Sequence, residues 1–162
     1  MKKLILLFAL FLSGMFCETT FAQITLSVNI ASQPLWGPVG YDHVEYYYLP
    51  DIQTYYYVPG HKYFYMENGR WVSRSYLPQK YSNYDLYNTS KVVINESKPY
   101  LRHKEYMAKY AVTNERSNQQ LIRDSHDSKY FVIKNHPEHS KWKDNKKNQG
   151  QNKNQENERR NN

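Results

Sequence analysis

The sequence predicts an α+β fold: a small antiparallel β-meander with one or two short helices, followed by a disordered basic tail. Three observations carry this prediction. An Asn68-Gly69 pair sits between two aromatic or β-branched runs, tyrosine triplets are each stopped by a proline, and no Gly or Pro interrupts the stretch that follows Pro99.

From the first of these elements onward, each segment has its own local reason. Gln23 to Ile30 alternates apolar and polar residues through Ile24, Leu26, Val28 and Ile30, which is the period of a strand. It ends at a loop rich in Pro and Gly, Ser32 to Gly40, with Trp36 between Pro34 and Pro38. Tyr46-Tyr47-Tyr48-Leu49-Pro50 is then echoed nine residues later by Tyr55-Tyr56-Tyr57-Val58-Pro59, and more weakly by Ser75-Tyr76-Leu77-Pro78. Too few copies are present for a solenoid, which needs at least about three stacked repeats. The echo instead predicts successive strands, each closed by a proline that cannot donate to the next rung.

Asn68-Gly69 supplies the positive φ angles of a two-residue type I′ turn. The register follows: Glu67 faces Arg70, Met66 faces Trp71, Tyr65 faces Val72 and Phe64 faces Ser73, and paired residues share a face. Phe64, Met66 and Trp71 are expected to form the core face. The other face carries Tyr63, Tyr65, Glu67, Arg70, Val72 and Arg74, with tyrosines set beside charges.

Pro78 is expected to begin a short helix, since Leu77, Tyr81, Tyr84 and Tyr87 recur at helical spacing, and Lys91-Val92-Val93-Ile94 is a short strand candidate. A helix is expected from Pro99 to about Val112, since proline suits a first helical turn. Lys129 to Lys134, around Tyr130-Phe131-Val132-Ile133, reads as a last strand. A membrane barrel is excluded by count, because eight or more strands of about ten alternating residues are needed to close one.

Residues 1–22 have the form of a cleavable signal peptide. Lys2 and Lys3 precede the apolar run Leu4 to Leu12, and Thr20 and Ala22 stand at the positions where a signal peptidase wants small residues. The run is too short to span a bilayer, which takes about 20 apolar residues. Export to the periplasm or beyond the cell is therefore expected. Acylation at Cys17 is disfavoured because the bulky Phe16 precedes it. Cleavage after Ala22 also removes the sole cysteine and with it any thiol chemistry.

The remaining chain divides into a single tyrosine-rich domain, 23–140, and a tail, 141–162, made almost wholly of Lys, Arg, Asn, Gln, Glu and Asp. Such a tail buries too little to offset the cost of ordering it, about 1 to 2 kcal/mol per residue for the backbone. With seven Lys or Arg against three acids it holds a charge of +4. That charge draws it to anionic surfaces by screened attraction.

All seventeen tyrosines lie between Tyr41 and Tyr130. Because side chains alternate along a strand, a run of three must place rings on both faces. Two readings follow: a recognition surface that stacks on sugars or partner side chains, or cross-strand pairing that holds a thin sheet together. On the first reading the candidate ligand residues are Trp36, Tyr63, Tyr65, Arg70 and Arg74. No catalytic residue is selected. Asp124-Ser125-His126-Asp127 contains the letters of a hydrolase triad, but sequence neighbours cannot aim at one another as nucleophile, base and orienter must. A metal alternative would use the imidazoles of His126, His136 and His139. No cofactor is implied.

The run from Gln33-Pro34-Leu35-Trp36-Gly37-Pro38 through the YYYxP repeats, Gly69-Arg70-Trp71, Tyr84-Asp85-Leu86-Tyr87 and Lys91-Val92-Val93-Ile94-Asn95-Glu96 resembles small exported proteins of Bacteroidetes-group bacteria for which no activity is established. The resemblance covers roughly Gln33 to Tyr110. It implies a bacterial periplasmic or envelope setting and supplies no catalytic residue. Together these readings lead to the expectation of an exported, non-enzymatic binding or structural module. Envelope polysaccharide, peptidoglycan or a protein would be its partner. A small hydrolase or metal-dependent enzyme acting on envelope polymers is the alternative.

Overall fold

The computed structural model describes residues 28–110 and 118–160. The expected signal peptide and its cleavage point lie outside these residues, as do the start of the Gln23–Ile30 segment and the end of the helix drawn to Val112. The architecture is α+β, organised on one antiparallel sheet of five strands: β1 (Tyr46–Leu49), β2 (Thr54–Tyr57), β3 (Lys62–Glu67), β4 (Arg70–Arg74) and β5 (Val92–Ile94). Their order is β4-β3-β2-β1-β5, so four strands form a meander and β5 returns to the free side of β1.

The tyrosine echo is the first hairpin. Tyr46 stands opposite Tyr57, Tyr47 opposite Tyr56 and Tyr48 opposite Tyr55, so the two triplets pair ring to ring. Tyr48 stacks on Tyr55 at 4.7 Å and Tyr46 lies 5.0 Å from Tyr57. Pairs of this kind add about 0.5–1.5 kcal/mol beyond the area they bury. Pro50 ends β1 and opens a 3-10 turn, Pro50–Ile52, and Gln53 at φ 50° brings the chain back. The β3–β4 hairpin has the predicted register throughout, from Glu67 opposite Arg70 to Phe64 opposite Ser73. Asn68 at φ 49° and Gly69 at φ 75° supply the turn.

Both faces of the sheet are covered. On one, Tyr46, Tyr48, Tyr55 and Ile94 pack with Tyr106, joined by Phe64, Trp71 and Tyr100. The covering layer here is a 3-10 turn, Pro99–Arg102, running into helix α1, His103–Lys109. On the other face, Tyr47, Leu49 and Tyr56 pack with Trp36, Val44, Ile52 and Val58, and the 77–87 loop closes over them through Leu77, Tyr81, Tyr84, Leu86 and Tyr87. The hairpin faces therefore differ from expectation. Tyr65, on the face read as amphipathic, is 4% exposed, and Met66, on the face read as core, is 49% exposed. Burial follows the reach of the covering layers rather than the face alone, because each side of the sheet has a layer of its own.

Two segments read as strands are not strands where the structure describes them. Residues 28–32 are helical, which sets Asn29 and Gln33 four apart with their amides 3.4 Å from each other. Asn29 uses its amide as a ladder rung, donating to Val44 O at 3.0 Å and accepting from Val44 N at 2.8 Å. The 129–134 run forms a 3-10 helix, Ser128–Val132, whose entry Asp127 accepts from Lys129 N. Its Tyr130, Phe131 and Ile133 are buried all the same, since a short apolar run does not by itself separate helix from strand. After Pro78 only a 3-10 turn, Gln79–Tyr81, forms in place of a longer helix.

Side-chain amides do further backbone duty. Asn95 accepts from Glu45 N at 2.9 Å and donates to His43 O at 3.2 Å, so the approach to β1 is held from Asn29 and from Asn95. Gln119 grips Lys91 in the same two-bond way ahead of β5. A third cluster, Ile30, Ile122, Tyr130 and Ile133, ties the two ends of the domain together.

The tail has helical backbone where none was expected. Helix α2 runs His139–Arg160, and Lys, Gln, Glu and Arg are good helix formers. Only its first turn docks: His139 Nδ1 donates to Phe131 O at 2.7 Å and its ring stacks on Trp142. Beyond Trp142 its described side chains are exposed. A helix polar on all sides is not held by packing, and the described side chains beyond Trp142 stay out of the core.

Gly37 lies where the Trp36 loop crosses the sheet, and a Cβ there would stand 2.6 Å from Tyr47 Oη and 3.1 Å from Pro34 O. Gly37→Ala should therefore lower stability by about 1–3 kcal/mol. Gly150→Ala, with nothing within 4 Å, should leave the denaturation midpoint unchanged. Equal midpoints for the two variants would contradict this packing.

Candidate functional site

Covering a sheet from both sides leaves its ends open, and a cleft lies at one of them. The β1–β2 turn brings Asp51 and Gln53 there, β3 contributes Tyr65 and Met66 near its end, the 3-10 turn after Pro78 contributes Lys80 and Tyr81, and α1 begins with His103. These residues line a polar lobe of about 250 Å³. A second lobe of about 390 Å³ opens on the α1 side, lined by Trp71, Tyr100, Leu101, Arg102, Lys104 and Glu105. Met66 and His103 line both.

His103 is held from the core. Its Nδ1 hydrogen-bonds Tyr55 Oη at 3.1 Å, and its ring meets Trp71 edge-on at 5.1 Å. Burial lowers its pKa from 6.5, because the charged imidazolium loses solvation among these rings. Asp51 accepts from Tyr84 Oη at 2.8 Å, and Lys80 lies over the Tyr81 ring at 4.7 Å. Arg102 is paired with Glu96 and lies 3.6 Å from Glu105.

The aromatic floor of the second lobe is well fixed. Tyr100 stacks on Phe64 at 4.7 Å and 13°, and lies 5.5 Å from Trp71. Two exposed aliphatic groups stand above this floor, Met66 at 49% and Leu101 at 68%.

The ligand candidates from the sequence are placed differently. Trp36 is 8% exposed and meets Tyr47 and Tyr56 edge-on at 5.3 and 5.1 Å. Tyr63 is partly buried and packs 4.8 Å from Tyr56, so these rings form one line that runs from the core to its margin. Tyr65 is buried and its residue lines the polar lobe. Arg70 and Arg74 are exposed on the outer strand, where Arg74 lies 3.8 Å from Glu67.

The structure does not gather the three histidines. His136 is buried with both nitrogens engaged: Nε2 donates to Ile122 O at 3.0 Å, and Nδ1 accepts from Glu138 N at 3.1 Å. His139 is bonded to Phe131 O, and His126 is exposed, 3.7 Å from Glu138. No group of three or more His, Cys, Asp or Glu among the described residues could hold a metal ion. In the Asp124–Asp127 run, Ser125 Oγ accepts from Asp127 N while Asp124 is bound to Arg123.

The cleft residues Asp51, Gln53, Lys80, Tyr100, Leu101 and His103 escaped sequence reasoning, since they come from three segments that only the fold joins. The one available signal was Leu101, an aliphatic residue just after Pro99 on a short helical segment with charges on either side. Compared with known proteins, the chain matches no family model, no curated protein and no solved structure. No described helix is long and apolar enough to cross a membrane.

The state of His103 gives a direct check on the cleft. A depressed imidazole pKa favours the neutral ring in the folded state, so its contribution to stability is present above 6.5 and lost as pH falls through the folded value. NMR titration of the His103 ring should give a midpoint below 6.5. His103→Gln should remove part of the acid dependence of stability. A midpoint at or above the free value would contradict the buried placement.

Proposed function

We propose that this protein is an exported, non-enzymatic binding module of the bacterial cell envelope. On this reading its tyrosine-rich sheet is scaffold, and the cleft around Met66 and His103 is the ligand site. The observation that carries the reading is where the aromatics and aliphatics go. The tyrosine triplets turn into two cores, yet Met66 and Leu101 remain among the exposed large hydrophobics and both line the same cleft. Exposed apolar groups gathered over a rigid aromatic floor are the composition of a recognition site. The resemblance to small exported proteins and the signal-peptide form of residues 1–22 support the envelope setting. The basic tail would add screened attraction to anionic polymers without setting specificity.

A second reading keeps the alternative of a small hydrolase. It rests on one carboxylate and one imidazole, Asp51 and His103, lining the same lobe, the residue types of general acid and base work. Binding is favoured because each group is anchored to a tyrosine through one atom, Asp51 Oδ2 to Tyr84 and His103 Nδ1 to Tyr55, which suits fixed hydrogen-bonding groups better than groups that must pass a proton.

Incubating the purified protein with isolated envelope polymers across a salt series, and following pelleting and polymer fragmentation, separates the readings. The protein should pellet at high salt and leave the polymer intact. Leu101→Asp should lower the bound fraction about fivefold or more, and deletion after Ser140 should leave high-salt binding unchanged. Binding abolished by salt or by the tail deletion would overturn the cleft reading. Released fragments would establish the hydrolase instead.

A further inference from the structure

We propose that the ligand of the cleft is a neutral saccharide, seated with a sugar ring against Trp71 and Tyr100 and its hydroxyls read from the polar lobe. The inference rests on the reading of the chain as an envelope binding module and adds the chemical class of its ligand.

The two lobes differ in chemistry, and a sugar has both chemistries. The larger lobe, about 390 Å³, offers the rings of Trp71 and Tyr100 with Met66 and Leu101 at its margin, and falls within the range of about 300–1,000 Å³ usual for small-molecule sites. The apolar C–H face of a pyranose stacks on such a floor, and the floor is pre-set: Tyr100 is backed by Phe64, and Trp71 by Tyr55 at 5.8 Å. Little side-chain order is then lost on binding.

The polar lobe supplies donors and acceptors in mixture. Asp51 accepts, Lys80 donates, and Gln53 does both. His103 engages Tyr55 through Nδ1 alone, which leaves Nε2 for a ligand hydroxyl. Hydroxyl groups both donate and accept, so a polyol can answer each of them.

Charge in the cleft is mixed and favours neither sign. Lys80 and Lys104 are set against Asp51 and Glu105 along the cleft, and Arg102 is paired with Glu96. An anionic ligand gains from Lys80 and Lys104 but meets Asp51 and Glu105, and a cationic one meets the reverse, so each carries a repulsive contact that a neutral ligand lacks. Like charges across a site suppress such partners. A neutral ligand avoids both penalties.

The test uses the full chain with chitotetraose and cellotetraose as neutral probes, tetragalacturonate as an anionic probe, and an uncharged aromatic tetrapeptide as a protein-like probe. Binding is read by saturation-transfer NMR and by tryptophan emission. A neutral tetrasaccharide should bind at least about tenfold more tightly than tetragalacturonate, with contacts along one ring face. Trp71→Ala should weaken it at least about tenfold. Because Trp71 also packs on the core, Lys80→Ala and Leu101→Asp at exposed positions serve as second variants, each with its thermal midpoint measured, and each should weaken saccharide binding. Failure of both neutral probes, or equal affinity for the anionic one, overturns the saccharide assignment. Binding of the peptide alone, lost in Leu101→Asp, overturns it while leaving the binding-module reading intact. If Leu101→Asp changes neither probe binding nor polymer pelleting, both fall.

Discussion

Side chains alternate across a strand, and this protein writes three tyrosines in succession on each of two paired strands. Every other feature of the fold answers that constraint. Rings leave both faces of the β1–β2 hairpin, and neither face can be left to water without exposing a broad aromatic surface. One side is closed by Pro99–Lys109 and the other by the Trp36 loop with the 77–87 segment. The hydroxyls then need partners, since an unpaired buried hydroxyl costs about 1–3 kcal/mol. Tyr47 donates to Gln33, Tyr55 and Tyr56 bond to His103 and His61, and Tyr130 accepts from Gly40 N. Several histidines and amides of the domain thus spend at least one polar atom on tyrosine or backbone.

That allocation shapes where function can sit. Trp36 in its Pro/Gly loop has the look of a contact residue but is the plug between Tyr47 and Tyr56. His136 spends both ring nitrogens on backbone. The cleft is what remains at the end of the sheet, where the two covering layers stop short of the β3–β4 hairpin. Its residues come from the β1–β2 turn, the hairpin, the loop after Pro78 and the start of α1.

Local chemistry made much of the fold legible. Asn68-Gly69 fixed a turn and a turn fixed a register, because a two-residue loop allows one pairing. The prolines after Leu49 and Val58 marked strand ends for the same local reason. What could not be read was the use of side-chain amides as ladder rungs. Asn29 holds Val44 from a helix, so alternation at 23–30 pointed to a strand that the described part does not contain. The apolar run at 130–133 was buried as its composition demands, but it found no strand to pair with. The cleft was illegible because it joins residues about fifty positions apart, Asp51 and His103, through the fold alone.

Ionisation of the tyrosines tests the inward packing most directly. Burial pushes Tyr46 and Tyr63 up to about 12 and raises Tyr47, Tyr55 and Tyr56 further above the free value of 10.0. The neutral rings are thus favoured in the folded state. Their contribution to stability is complete below pH 10.0 and is lost as pH rises through the folded values. An absorbance titration followed together with circular dichroism should show a fraction of the tyrosines ionising well above pH 10, in step with loss of the sheet. Ionisation of all seventeen as one group near the free value, with the sheet intact, would contradict an aromatic core on both faces.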